Sequence, residues 1–573
     1  MSLEAALADL AAALGAMHLK PASKVTPKNA KARWGMVARA AGSILGEGVR
    51  ISRDSHGRRV LVLDEDSDGS SDEEAVQILR TTRRMHLSIR NMYTLPRLCR
   101  KSSLTAKRKE LTAYKGTTVS FQPGVGRIRA GCYCNLSELL EARVRLAEVY
   151  GGPVNAAPFR VLLCADATPF WRTSATRGDA YIDLSGNVAD AGVPRKWGLW
   201  FAFDGSDDVG PLRVADQAGK LNEQVQHVQR VGISARGGVC PCLCYYTADG
   251  HGMQSANHRV GLRCWNCSHP WDSLDNFLPQ DTVEEKARWG AFLPDIPPTR
   301  RVGDCVHCAC RVSNAVPKRL LADPRVASSP EACREIKRIV HRVALDAAHI
   351  PSDQRVAPRP TKVGSFDLTS ARLFLERIEI HAEFVAVLAK CLPSVRVAVS
   401  GVQVAYAIVM QRMLATLWYI QKTWRLKENF SDVKVAGYHR AVCEFATLWK
   451  ALQWKPTVWI HWVVHHSPFF ARTLRNFYFF SSIPVERRNV EFKLDVRHCF
   501  QGWKLSRPYL TWRALQHVLE LGALDVGLQI EAARIARRKA AQKACVPVPL
   551  AAAGPKGPTA KRPKYSRPAP KLA

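Results

Sequence analysis

Apolar residues fall along this chain in two rhythms. Between residues 159 and 249 they form short, nearly continuous runs. FRVLLCAD ends in Asp166, DAYIDLSGN closes on a Ser-Gly-Asn turn, WGLWFAFDG follows, and CPCLCYYTAD ends in Asp249. Runs of this length, rich in branched and aromatic residues and bounded by turn formers, predict buried strands. Residues 214–231 predict a helix before the last of them, which gives an α/β order. From about residue 330 to 454 the rhythm becomes helical. LTSARLFLERIEIHAEFVAVLAKCL, VQVAYAIVMQRMLATLWYIQKTW and SDVKVAGYHRAVCEFATLWKALQW each place apolar residues at helical spacing. LSELLEARVRLAEVYGG is a further helix, closed by a Gly-Gly-Pro break. Residues 459–489, WIHWVVHHSPFFARTLRNFYFFSSIPVERRN, are so aromatic that burial is expected, yet they carry His461, His465, His466 and Glu486. Buried ionisable groups are costly unless paired or bound to metal.

Charge changes the picture. The chain of 573 residues has 83 Lys and Arg against 50 Asp and Glu, a formal net charge of +33. Such an excess on a chain that is 47% apolar predicts a folded binder of a polyanion, with nucleic acid first among partners. No apolar run is long enough to predict a membrane span. Residues 1–24 read as a helix with early acids, not as a secretory signal. Without an export signal, the 17 cysteines, clustered as CPCLC, CWNC and CVHCAC, point to metal ligation more than to disulfides.

Two constellations carry candidate chemistry. Cys264 and Cys267 put two thiols on one tight turn, the geometry of a tetrahedral zinc site. His461 with either His466 or His465 offers a second ligand pair near one turn apart on a helix; the alternative is that these are core histidines with hydrogen-bonded rings. The second constellation is acidic. Asp166 and Asp249 each follow a strand, and Glu486 lies in a helical segment; carboxylates brought from separate segments are what two-metal phosphoryl transfer requires, and magnesium prefers such oxygen ligands. The alternative is that each aspartate is a turn or cap residue.

The ordered set from residue 159 to 503 resembles the RNase H-fold DDE transposases, most closely the branch containing the Transib transposases and the vertebrate V(D)J recombinase catalytic subunit. Asp166 in CADAT and Asp249 in TADGHG match the first two acids. Cys264 and Cys267 match the CxxC, Asp304-x-x-His307 matches the Asp/Cys-x-x-His signature, and His461-x4-His466 followed by Pro468 matches the HxxxxH. Glu486, twenty residues beyond His466, matches the third acid, with Glu491 as its competitor. The resemblance implies an α/β fold: an RNase H-like catalytic core, a mixed five-stranded sheet with helices, interrupted by a long helical insertion and carrying zinc-binding elements. It implies that the first and fourth core strands are neighbours and that Asp166, Asp249 and Glu486 hold Mg2+ or Mn2+. It also implies that Cys264, Cys267, His461 and His466 hold Zn2+, and that Asp304 and His307 support the metal site or position DNA. Arg487, Arg488 and Lys493 are either phosphate contacts or a solvated helix face. Cys240, Cys242, Cys244, Cys305, Cys308 and Cys310 allow a second metal site, with core packing the simpler expectation for the CPCLC strand.

The expected organisation follows. Residues 1–110 form a basic, partly disordered region with an acidic segment at 64–74, and 111–158 a helical pre-core segment. Residues 159–312 hold the first part of the core with the CxxC, 313–455 the helical insertion, 456–545 the last part of the core, and 546–573 a disordered basic tail. Val60, Leu61, Val62 and Leu63 beside the acids resemble a SUMO-interacting motif, which binds by strand addition. The expected function is metal-dependent cleavage and transfer of double-stranded DNA at transposon ends and target, by a homo-oligomer in the nucleus, where AKRPK in the tail is a basic address. The competing expectation is a domesticated, non-catalytic zinc- and DNA-binding protein of the same descent.

Overall fold

The computed structural model describes residues 49–53, 59–63, 76, 79–80, 109–120, 130–150, 158–170, 173–235, 237–257, 264–267, 269–275, 277–280, 283, 292–347, 374, 377–499 and 512–544. The acidic segment 64–74, residues 1–24 and the tail lie outside them.

The strands in chain order are β1 (Val49–Arg53), β2 (Arg59–Leu63), β3 (Gly116–Ser120), β4 (Ala130–Cys134), β5 (Phe159–Phe170), β6 (Thr173–Asp183), β7 (Gly198–Phe203), β8 (Ile233–Ala235), β9 (Gly238–Cys240) and β10 (Cys242–Thr247). Six of them form one mixed sheet in the order β10-β5-β6-β7-β4-β3. β5, β6, β7, β4 and β3 run antiparallel to their neighbours, and β10 runs parallel to β5. In β5, Val161, Leu162, Leu163, Cys164 and Ala165 are all buried, as a central strand covered on both faces requires.

The sheet corrects two expectations. It has six strands, not five, and residues 111–158 are not wholly helical: β3 and β4 come from that segment and extend the sheet past β7, before the expected helix Leu136–Tyr150. The helix Trp512–Ala544 packs on β3, β4, β7 and Leu136–Tyr150. It passes so close to the chain before β3 that a Cβ on Gly527 would meet the carbonyl oxygen of Leu111, so only glycine fits there.

The helix Cys305–Ala322 runs across the expected boundary at 312/313 into the insertion, which continues with the helices Pro330–Ala347, Ile378–Cys391, Tyr406–Trp424 and Asp432–Ala451. It also holds an unexpected hairpin, β11 (Arg396–Val399) with β12 (Val402–Ala405). The VQVA that reads as the start of a helix is instead its second strand. Ser400 and Gly401 both take positive φ, 49° and 84°, which is the backbone of a tight two-residue hairpin turn. The insertion shares one hydrophobic core with the sheet. Where it meets residues 458–474, Trp424 Nε1 donates to Tyr438 Oη at 2.8 Å, and Tyr438 Oη bonds Ser467 Oγ at 2.7 Å. Among the described residues no helix is long and apolar enough to cross a membrane.

Arg301 closes the edge beside β10, where it forms a single parallel bridge with Tyr246. Its side chain is fully buried and donates to the main-chain oxygens of Ile296 (2.8 Å), Phe292 (2.8 Å), Leu293 (2.5 Å) and Ala256 (3.5 Å), and to Asn257 Oδ1 at 3.1 Å. It thereby satisfies the carboxyl end of the helix Gly250–Ala256 and the loop 292–296. Arg301→Leu removes the donors and leaves these acceptors buried, so a loss of about 3–5 kcal/mol is expected. A urea midpoint unchanged from the parent would refute this.

Candidate functional site

The parallel pairing of β10 on β5 places Thr247 opposite Cys164. Asp249 and Asp166 each lie two residues further on, at the same level, but only Asp249 has left its strand: the strand expected to end at Asp166 continues to Phe170, and Asp166 sits within it opposite Arg177 of β6. Asp249 is also the N-cap of Gly250–Ala256, accepting from the Gly252 amide at 2.7 Å. The capping role that the sequence allows is therefore real, and it coexists with a place at the acidic end of the sheet. Glu486 arrives in the first turn of the helix Ile483–Cys499, which packs on β5. Burial first, then the charges of Glu486, Asp249 and Asp207 against the opposing charge of His307, push the Asp166 carboxyl up to about 8. Burial also raises Glu486, with Asp304 and Asp249 adding to the rise and His307 and Lys493 opposing it. Glu491 is exposed on the same helix. Between the two glutamates, it is Glu486 whose charge reaches the aspartates.

A buried clamp sets that turn. Asp304, fully buried, accepts from the Ser482 amide at 3.0 Å and the Ser482 hydroxyl at 2.8 Å, and from the His307 amide at 3.0 Å. Its Oδ2 also lies 2.5 Å from His307 Nδ1. The Glu486 amide then donates to the Ser482 carbonyl at 3.0 Å. Burial works against the Asp304 charge, but the His307 contact and the two amides hold its carboxyl below the usual range. Burial likewise works against a charged His307, but Asp304, with the charges of Asp249 and Glu486, raises it to about 9. His307 Nε2 sits 3.5 Å from Glu486 Oε1. Asp304 and His307 therefore join the start of the helix Cys305–Ala322 to the Glu486 turn. Asp304→Ala is expected to speed hydrogen exchange at the Ser482 and Glu486 amides by about tenfold or more, the kinetic equivalent of one lost charge-assisted bond. Unchanged exchange there would show that the clamp holds nothing.

Of the basic residues beside Glu486, Arg488 is not a surface cation. Its Nε donates to Asp179 at 3.1 Å and its guanidinium to the Trp197 carbonyl at 2.9 Å. Arg177 grips the same fully buried Asp179 through two bonds of 2.6 and 2.7 Å and donates to the Arg488 carbonyl at 2.9 Å. Asp179 follows a register shift between β6 and β7. This buried Arg-Asp-Arg set pins the rotation of the Glu486 helix on the sheet. Arg487 is exposed and Lys493 half-buried, so those two keep the surface role open. Sequence reasoning missed Asp207, which is buried and whose charge is felt at Asp166. The run FDGSDD after the third strand was its only signal.

The second constellation gathers more tightly. Ligand atoms of Cys264, Cys267, His461 and His466, all buried, lie within 4.8 Å of one another, and this is the one such set found among the described residues. Its position follows from a local irregularity. The helix Val458–His461 passes into a π-helical turn, Trp462–His466, and resumes as Ser467–Leu474 with Pro468 near its start. In a π turn the repeat is five residues, not four, so His461 and His466 come onto one side. Proline, lacking an N–H, suits the start of the resumed helix. His465 stacks on His461 with ring centroids 4.1 Å apart but lies outside the four-ligand set.

Cys267 Sγ is 3.3 Å from His461 Nε2. Its thiol is held far below the usual range by contact with Cys264 and then with His461 and His466, against the effect of burial, while burial raises Cys264. The pair thus favours one thiolate. His461 Nδ1 and both His466 ring nitrogens are buried without a hydrogen-bond partner. Two soft sulfurs and two imidazoles, buried and crowded, fit a tetrahedral zinc ion. A Cys2His2 cluster able to bind zinc thus joins the loop after β10 to the residues leading to Glu486.

The remaining expectations resolve simply. Cys242 and Cys244 share a buried face of β10, where burial pushes the Cys242 thiol up to about 12. Cys305 Sγ donates to the Phe477 carbonyl at 3.3 Å. Cys240, Cys308 and Cys310 join no gathered ligand set among the described residues, which leaves packing as the reading for this group. Val60–Leu63 lie on β2, paired antiparallel with β1. No protein-family model matches this chain, and no curated protein matches it.

Proposed function

We propose that the chain is a DDE transposase-like DNA recombinase that cleaves and transfers strands of duplex DNA, with Asp166, Asp249 and Glu486 as its metal-binding carboxylates. One observation supports the reading: Asp166 within β5 and Asp249 just past the end of the neighbouring parallel β10 stand at one level, and a helix pinned by buried ion pairs brings Glu486, whose charge acts on Asp166. The RNase H-like core is supported by the β7-β6-β5-β10 run, three antiparallel strands followed by a parallel fourth, with the Tyr246–Arg301 bridge where a fifth would lie.

The acidic site fits divalent cations by its donor set: hard, half-buried carboxylate oxygens, with Asp166 pushed up to about 8 by burial and by the neighbouring acids, against the charge of His307. Such ions, when bound, supply activation of water or a DNA 3′-hydroxyl and stabilise the leaving oxygen. The protein's own work is placement. Asp166 and Asp249 are held by the sheet, and Glu486 by the Asp304–Ser482 clamp and the Arg488 anchor. Arg487 and Lys493 offer cationic groups to the backbone of DNA. The zinc cluster ties the segment after Asp249 to the segment before Glu486, so the distance between the two acids is bridged by a metal clip.

Duplex DNA belongs to the same proposal, supported by the net charge of +33, and a second copy of the chain and a nuclear location follow from the proposed recombinase role. SUMO is the proposed partner of Val60–Leu63. The test is magnesium- or manganese-dependent cleavage and joining of duplex DNA by the full chain and by Asp166→Ala, Asp249→Ala and Glu486→Ala. Activity indifferent to all three overturns the assignment; DNA binding and zinc without any cleavage select the domesticated, non-catalytic alternative.

A further inference from the structure

Asn489 lies three residues beyond Glu486, on the same side of the same helix. It is 4% exposed. Its Nδ2 donates to Asp166 Oδ2. Its Oδ1 is buried with no hydrogen-bond partner. A buried amide oxygen of this kind is unfavourable unless a donor meets it. This is the orientation that a cation-holding Asp166 requires, because an ionised carboxylate only accepts and the NH2 end must then face it. The helix cannot easily rotate to relieve Oδ1, since the next residue back, Arg488, is bonded to Asp179 through its side chain and to Arg177 through its carbonyl.

We infer that Asn489 is a positioning residue for Asp166, and that its Oδ1 accepts from a hydrated divalent cation held by the acidic site. This rests on the proposed function. The amide engages one Asp166 oxygen and so fixes which oxygen faces the cation. A carboxamide suits the place because it supplies a donor and an acceptor without adding another negative charge to a site where Asp166, Asp207, Asp249 and Glu486 already repel one another. One helix thus delivers both a ligand and the group that orients its partner ligand. Removal of such an outer hydrogen bond costs about 10–100-fold in metal affinity.

The experiment uses the full chain without DNA, and follows Mn2+ binding by the loss of the free-ion electron paramagnetic resonance signal. The variants are Asn489→Ala, Asn489→Leu, which keeps the shape but not the polar atoms, and Asp166→Asn. Asn489→Ala and Asn489→Leu are expected to weaken Mn2+ binding about tenfold or more. In the cleavage assay they should raise the Mg2+ concentration for half-maximal rate by a similar factor while DNA affinity stays within twofold. Saturating Mn2+, which nitrogen- and oxygen-donor sites bind, should restore most of their rate but none of that of Asp166→Asn. Mn2+ binding that depends on Asp166 but is unchanged within twofold in both Asn489 variants overturns this inference alone. Mn2+ binding that Asp166→Asn leaves intact overturns it together with the proposed function. If one variant fails to fold, the other, with its melting curve, decides.

Discussion

Asp249→Asn is expected to lower metal-dependent strand cleavage by about 1,000-fold or more, which is about 4 kcal/mol of barrier, without unfolding the protein. The prediction is sharp because this substitution separates two roles of one side chain. Asp249 caps the helix Gly250–Ala256 through the Gly252 amide, and asparagine caps a helix as well as aspartate does. Local structure should survive while the charge is lost. Asp166→Asn and Glu486→Gln should lose cleavage to a similar extent, and Asp166→Asn carries a second signature. The Asp166 carboxyl is pushed up to about 8 by burial and by neighbouring acids, so its ionised form is disfavoured in the folded chain at neutral pH. A neutral residue of the same shape removes the cost of protonating on folding a carboxyl that is ionised in the unfolded chain, a cost present at pH above about 4. The metal-free variant should therefore melt higher than the parent while being inactive, which is the trade-off expected of a functional site. Glu491→Gln, on the exposed side of the helix, is the control and should cleave at the parental rate. Full cleavage by Asp249→Asn would reduce Asp249 to a cap and remove the two-aspartate site.

What could be read from the sequence was whatever is encoded by local pattern. β5, β7 and β10 were visible because a strand covered on both faces leaves a continuous apolar run, as in FRVLLCAD, whereas of β6 only the end, DAYID, was visible, its start lying in the polar TSATRG. Asp166 and Asp249 were visible because an apolar run ends at each, although β5 itself continues past Asp166 to Phe170. β3 and β4 were missed because GTTVS and AGCYC are short and their burial depends on partners far along the chain, including Phe201 and Phe203 opposite Tyr133 and Gly131. The hairpin of β11 and β12 was missed because VQVA abuts a true helix and shares its apolar character.

The residues that position the site were the least visible. Arg488 looked like a surface cation beside Glu486, but it meets Asp179 across 309 residues of chain. Asn489 and Arg301 have no local signature at all, since each is defined by what it touches rather than by its spacing, and Asp207 had only the acidic run FDGSDD. The choice of His466 over His465 was suggested by the resemblance. Its physical cause is the π turn Trp462–His466, which no α-helical periodicity would disclose. Order and spacing of rare residues thus indicated that Cys264, Cys267, His461 and His466 meet, while the contacts that place Glu486 required the fold.

The zinc cluster yields the largest expected effect on stability. The full chain should carry one equivalent of zinc, and Cys267→Ser or His466→Ala should reduce it to near zero, measured by plasma mass spectrometry. His465→Ala should keep it, because His465 stacks on His461 but does not belong to the gathered set. Structural zinc in small Cys/His sites binds with about 10–16 kcal/mol near neutral pH, comparable to the whole stability of a typical domain. Only part of that is lost here, because other contacts join the same segments: Trp265 packs edge-on against Trp459 with centroids 5.0 Å apart, and the Gln280 amide donates to the His465 carbonyl at 3.0 Å. A fall of about 3 °C in melting temperature is expected for either ligand variant, roughly what a few kcal/mol produces in a protein of this size. Chelation should do the same to the parent and nothing further to the variants. Since residues 458–474 lead into the Glu486 helix, zinc loss should also slow cleavage, and added zinc should restore the chelated parent but neither variant. A parent that holds no zinc, or variants that keep it, would return His461 and His466 to the role of core histidines and leave their orphaned ring nitrogens without a partner.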